Sequence, residues 1–271
     1  MNATTRPTLR ALTAAGALGV ATLGLAASAK ADSLLALAGG KSLHMIDPGT
    51  LKVTDKVEVS GASDLVGIDV RPMDGMLYGV TASGDIVTID ARTGAATKKS
   101  ALSEKLPMGA KVTVDFNPMA DRLRIMTDGG MSLRVNVDDG KATVDGSHKY
   151  AETDMHKGET PNVVAGAYTN SLNGKKAEKT ELFNIDATIP ALVKQAPPND
   201  GVLSAIGKIG MKPSGSVAFE IAAAADGSNA AWLLTSGALY SVDLKTGATT
   251  KTGEISGLAD VIDIAWWPSA S

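Results

Sequence analysis

The chain has 271 residues, 26 Lys and Arg against 29 Asp and Glu, a net charge of −3, and no Cys. An acidic balance without a basic cluster excludes nucleic acid as the expected partner. The absence of Cys excludes disulfides, thiol catalysis and Cys-ligated zinc, so stability has to come from an apolar core.

Residues 1–31 read as a secretory signal peptide. Arg6 and Arg10 form a basic start, Ala11 to Leu25 is an apolar run, and Ala29-Lys30-Ala31 is a small-x-small cleavage signal. A run of about 15 apolar residues falls short of the ~20 that a membrane-spanning helix needs. Cleavage takes Arg6, Arg10 and Lys30 from the 26 basic residues and leaves 23 against 29 acidic ones, a net charge of −6. No other apolar stretch is long enough to span a membrane, so residues 32–271 are expected to form one exported domain, periplasmic or extracellular and monomeric.

A short phrase then returns along the chain: an apolar residue, Asp or Asn, a spacer, and Thr-Gly or a near equivalent. Its copies begin at Ile46-Asp47, Ile89-Asp90, Val135-Asn136, Ile185-Asp186 and Val242-Asp243. Each is preceded by short alternating or β-branched runs joined by a Gly turn. Leu77–Thr81 leads to Asp85–Asp90, Leu123–Thr127 to Ser132–Asn136, and Trp232–Thr235 to Ala238–Val242; these are hairpin signals. An apolar strand stands ahead of the hairpins, as in Gly67-Ile68-Asp69-Val70-Arg71-Pro72 and Thr113-Val114-Asp115-Phe116-Asn117-Pro118. Looser copies are 164–170 and 216–221, and the last is 261–268. Four-stranded units recurring about every 45 to 50 residues mark a β-propeller.

The phase of the repeat sets the blade number. The first turn phrase lacks an inner strand of its own, and the last inner strand, Val261–Trp267, lacks a hairpin. The two ends complete one unit. The fold class is therefore all-β: a five-bladed propeller whose C-terminal strand closes the first blade. Its blades are 261–268 with 33–60, then roughly 65–103, 111–150, 162–209 and 216–256. The competing architectures are a β-sandwich and a six-bladed ring with a hidden copy in 150–210.

The segments Asp69–Pro72, Asp115–Pro118 with Asp121–Arg124, Pro161–Val164 and Ala167–Ser171 resemble a family of exported bacterial proteins, domain of unknown function 4394. The resemblance runs across nearly all of residues 34–267. It implies a propeller-like fold and export, and it implies no reaction and no catalytic residue. Glu220 stands in a weaker inner strand and sets the fifth blade apart from the pattern.

Chemistry is thin. There is no Gly-x-Ser-x-Gly or Ser-x-x-Lys arrangement. His44, His148 and His156 lack metal-ligand spacing, and His148 and His156 fall in polar loop text that predicts solvated rings. Asp138-Asp139-Gly140 and Asp145-Gly146 are turns without EF-hand register, and Met73 and Met76 are packing residues. The informative set is Asp69, Asp115, Glu220 and Asp263, which all lie on channel-lining strands. Converging carboxylates suit Ca²⁺, which takes six to eight oxygens, or acid–base chemistry. The favoured alternative is pairing of each acid with backbone N–H groups or with Arg71, Arg122, Arg124 or Arg134. No cofactor is evident beyond Ca²⁺.

The expected function is a non-enzymatic binding or scaffold module with a ligand at the channel mouth, among loops such as 103–111, 150–162 and 194–201. Candidate ligand-binding residues are Asp69, Arg71, Asp115, Asn117, Tyr168, Asn170 and Asp263, and the partner is a small molecule, a glycan or an envelope protein. The alternative is a metal-assisted hydrolase or lyase using the channel carboxylates. It requires them to converge with open coordination.

Overall fold

The strands are short β-branched and aliphatic runs, and each is ended by a Gly or Asp turn that reverses the chain. In the computed structural model, which describes Met1 and residues 32–268, they form five small sheets. The signal peptide expected over 1–31 lies outside the described residues, Met1 aside.

The first blade contains β1 (Ser33–Ala38), β2 (Ser42–Asp47) and β3 (Lys52–Glu58). The second is β4 (Leu65–Val70), β5 (Leu77–Thr81), β6 (Asp85–Ile89) and β7 (Ala96–Ala101). The third is β8 (Val112–Asn117), β9 (Arg122–Thr127), β10 (Ser132–Val135) and β11 (Ala142–Val144), followed by the two-residue β12 (Lys149–Tyr150). The fourth is β13 (Val163–Tyr168), β14 (Leu182–Asp186), β15 (Ala191–Gln195) and β16 (Val202–Lys208). The fifth is β17 (Val217–Ala223), β18 (Asn229–Thr235), β19 (Ala238–Val242) and β20 (Thr249–Glu254). The last strand, β21 (Val261–Trp267), runs antiparallel to β1 and sets Ala265 opposite Leu35 and Asp263 opposite Leu37. The first blade is thus closed by the end of the chain, as the phase of the repeat predicts.

One segment crosses the expected boundaries. β12 leaves the third blade and pairs in parallel with β16, Tyr150 opposite Leu203, as a fifth strand of the fourth blade. Tyr150 is buried there, and its hydroxyl donates to Asp186 Oδ2 at 2.5 Å. That anchor inside the fourth blade outweighs continuation of the three-residue β11.

An apolar cluster fills each gap between neighbouring blades. Leu35, Leu37, Ile68 and Leu77 pack between the first and second, and Tyr78, Val80, Phe116 and Ile125 between the second and third. Tyr78 meets Phe116 edge-on, with centroids 5.3 Å apart and planes at 71°. Met126, Tyr150 and Tyr168 fill the third gap, Phe183, Ile185, Phe219 and Ile221 the fourth, and Leu34, Ile46, Leu234 and Ile264 the fifth. Burying each such side chain contributes about 1.5–3 kcal/mol, and the ring form divides that core among five interfaces.

The recurring turn phrase is a spacer between blades. Gly94, Gly140 and Gly247 occupy left-handed backbone at φ 74, 75 and 76°. Their amides donate to the carbonyls of Asp90, Asn136 and Asp243 at 2.8 Å. Each glycine also lies against the backbone of the preceding blade, at Glu58, Ala101 and Gly207 respectively. Any Cβ there would overlap a carbonyl oxygen and strain the left-handed turn. Leu51 takes this slot in the first blade at φ 57°, and Gly253 of the fifth blade leaves room for its side chain. Gly140→Val is expected to lower the melting temperature by about 10 °C, from a combined strain and overlap cost of ~3–4 kcal/mol. Differential scanning calorimetry measures it, and an unchanged midpoint contradicts the spacer role.

Candidate functional site

Five inner strands, β21, β4, β8, β13 and β17, pack side by side in a closed ring around the axis. One edge of each is hydrogen-bonded into its blade. The other edge faces the channel, where its amides have no ladder partner and must be satisfied in another way.

The channel acids do this. Asp263 Oδ2 accepts the Ile68 amide of the next blade at 3.1 Å, and its Oδ1 accepts Ile264 N–H at 3.0 Å. Asp69 accepts Phe116 N–H through Oδ2 and Val70 N–H through Oδ1, both at 2.6 Å. Asp115 Oδ1 accepts Tyr168 N–H at 3.0 Å. Glu220, with one more methylene, is the fourth buried acid of the set and stands beside the fifth-to-first junction. Three of the five blade junctions therefore carry a carboxylate stitch to a neighbouring blade's amide. At the fourth-to-fifth junction, β13 has Ala167 in the equivalent position, packed with Phe219 and Ile221.

The four carboxyls are buried and share one small space. Burial is the main influence on all of them. It lifts Asp69 to about 7 and Asp115, Glu220 and Asp263 well above the carboxylate range. Mutual repulsion adds to this: Asp115 feels Asp69, Glu220 and Asp263, and Glu220 feels Asp69 and Asp263. The amide donors pull the other way and do not prevail.

Of the two pairings expected for these acids, backbone amides make it for Asp69, Asp115 and Asp263, and the arginines bind other carboxylates. Arg71 is buried beside Tyr78 and binds Asp121 through Nε at 2.7 Å and Nη2 at 2.6 Å, and also Asp74 at 3.1 Å. It clamps the second blade to the third. Arg124 and Arg134 both bind Asp145, and Arg122 donates to the Asp121 carbonyl.

The side chains of the remaining candidates make their hydrogen bonds away from the carboxyls, although the Tyr168 amide binds Asp115. Asn117 Oδ1 accepts the amides of Met119 and Ala120, each at 2.9 Å, and shapes a turn. Tyr168 is buried, and its hydroxyl accepts from Arg124 Nε at 3.2 Å. Asn170 and Asn229 exchange hydrogen bonds at 2.8 and 3.0 Å across the fourth junction. His148 corrects the solvated-loop expectation. Both its ring nitrogens are shut away without a hydrogen-bond partner among the described residues, and burial lowers its pKa to about 4. The β12 crossover carries it inside. His156 lies on the surface, half-buried, with Nδ1 3.0 Å from Glu159.

For a cation, Asp69, Asp115 and Glu220 each offer one oxygen within 4.8 Å of the others. That is three oxygens where Ca²⁺ takes six to eight. Each oxygen of Asp69 and of Asp263 already accepts one backbone amide.

The channel opens differently at its two ends. Where the inner strands begin, a cavity of about 290 Å³ is walled by Val66, Val112, Val164, Val217 and Ile262. Where they end, Asp69, Glu220, Asn173 and Trp266 leave about 40 Å³. The aliphatic ring went unrecognised among the sequence candidates. Its signal was present: the four valines stand three residues ahead of Asp69, Asp115, Ala167 and Glu220. Of the three expected mouth loops, 103–111 contributes Ala110 and Lys111, while 150–162 and 194–201 contribute none of the described lining.

Fold and channel together define a five-bladed β-propeller with an acid-stitched axis and one open aliphatic mouth. The chain belongs to the family described as Domain of unknown function (DUF4394), which matches residues 42–265. Comparison with curated proteins returns no significant match. Among solved structures, a protein of unknown function from Bacteroides thetaiotaomicron is similar at 14% identity and TM-score 0.50, over 90% of this chain and 66% of that one. An auxiliary nutrient binding protein from Bacteroides ovatus is similar at 13% identity and TM-score 0.46, over 81% and 56%. A protein of unknown function from Bacteroides caccae is similar at 12% identity and TM-score 0.43, over 88% and 99%.

Proposed function

We propose that the protein is an exported, non-enzymatic binding module whose small-molecule ligand enters the aliphatic mouth of the channel. The observation that carries this is the cavity of about 290 Å³ ringed by Val66, Val112, Val164, Val217 and Ile262. Small-molecule sites are concave, mostly apolar and close to this size. An aliphatic wall without aromatic rings favours an apolar ligand over a glycan. The rigid ring fixes the wall, and loop 103–111 supplies the adaptable rim. Export rests on the signal-like residues 1–31, and no helix among the described residues is long and apolar enough to cross a membrane.

Nile red, a neutral dye that brightens in apolar surroundings, tests the mouth. The expected result is one saturable site per chain, lost when Val164→Trp and Val217→Trp fill the cavity while the melt stays cooperative. Absent binding, or binding indifferent to the filled mouth, overturns the proposal.

A further inference from the structure

We infer that the ligand is an amphiphilic acid, an aliphatic tail ending in a carboxylate; this rests on the mouth being the binding site. A second cavity of about 400 Å³ adjoins the first and shares Val66, Ala110 and Val112 with it. It is walled by Leu106, Pro107 and Met108, and the Met108 side chain is fully exposed. Together the cavities make an aliphatic groove from the channel mouth outward under loop 103–111.

Among the described residues, the ionisable ones lining the two cavities are Lys105 and Lys111. Neither is in an ion pair among the described residues. Asp128, which accepts the Lys111 amide at 3.2 Å, is not part of either wall. None of the four channel carboxyls lines the groove, so a cationic head would find no counter-charge there. An anionic head finds two free ammonium groups at the rim and buried acids further along the axis. That polarity seats the tail against the valine ring and holds the head at the lysines.

The test is calorimetric titration of the purified protein with alkanoates from hexanoate to decanoate, with octylammonium as control. Octanoate is expected to bind one per chain, tightening about fourfold for each added methylene. K105M with K111M is expected to weaken octanoate at least tenfold relative to uncharged 1-octanol titrated into the same variant. Octylammonium binding as tightly as octanoate, or octanoate affinity unmoved by the double substitution, overturns the acid assignment while Nile red still reports an intact mouth. Failure of Nile red itself overturns the mouth as the site.

Discussion

Removing residues 261–271 is expected to abolish the cooperative melt and make the chain aggregate. β21 is the inner strand of the first blade, and among the described residues its ladder with β1 is the sheet pairing that ties the chain's end to its first blade. Val261, Ile264 and Ala265 are buried in two different inter-blade clusters, with Trp266 and Trp267 packed beside them. Losing these side chains removes on the order of 10 kcal/mol of burial, comparable with the whole stability of a domain. One stitch goes as well, the Asp263 bond to Ile68. The inner edge of β1 is left bare, a template for pairing with other chains. Size-exclusion chromatography and circular dichroism of the truncated chain measure the outcome. A synthetic peptide covering 259–271 should restore a melt in trans. A truncated chain that stays monomeric with an unchanged midpoint contradicts closure by this strand.

The architecture was legible because it is periodic. The strand at Leu77–Thr81 follows a short apolar run between glycine turns, and the phase between the Asp47 turn and Val261–Trp267 encodes the closure. Features without a period were hidden. β12 is two residues long, too short to show any alternation, and its crossover buries His148. The stitches were half visible: the acids recur at one position, but a partner such as Ile68 for Asp263 lies 195 residues away, and only ring geometry brings it near. Arg71 pairs with Asp121 for the same reason, across 50 residues. Leu51 sits in a glycine slot because Gly253, on another blade, makes space for it. The valine ring needed a different question, which aliphatic position precedes each acid rather than which acid could react. Glu220, which looked like a departure from the pattern, joins Asp69 and Asp115 in the same buried acid cluster.

The channel acids make stability fall as pH rises. Their folded pKa values lie above the unfolded ones, so folding takes up protons. Below the usual carboxylate value of 3.8 both states are protonated and the acids contribute nothing either way. From there stability is lost as pH climbs through about 7 for Asp69, and the loss continues higher for Asp115, Glu220 and Asp263. Turn residues Asp47, Asp90 and Asp243 oppose this at the acid end. Their hydrogen bonds lower their pKa, and what they contribute is lost as pH falls through those lowered values. The melting temperature should therefore peak in mild acid and decline steadily to pH 8.5. Two substitutions separate charge from hydrogen bonding. Asp115 accepts an amide through Oδ1 and none through Oδ2 among the described hydrogen bonds, so Asn can keep the bond to Tyr168 and drop the charge. Asp115→Asn is expected to raise the melting temperature by about 5 °C at pH 8, change it little at pH 5, and flatten the slope between them. Asp69 spends both oxygens on N–H donors, so an Asn amide must face one of them. Asp69→Asn is expected to cost ~1–3 kcal/mol at either pH. Millimolar Ca²⁺ should leave the wild-type midpoint at pH 8 where it was. A rise that Asp115→Asn removes would mean that a cation, rather than protons, relieves the cluster, and an unaltered slope in Asp115→Asn would mean that its carboxyl is not among the groups that take up protons.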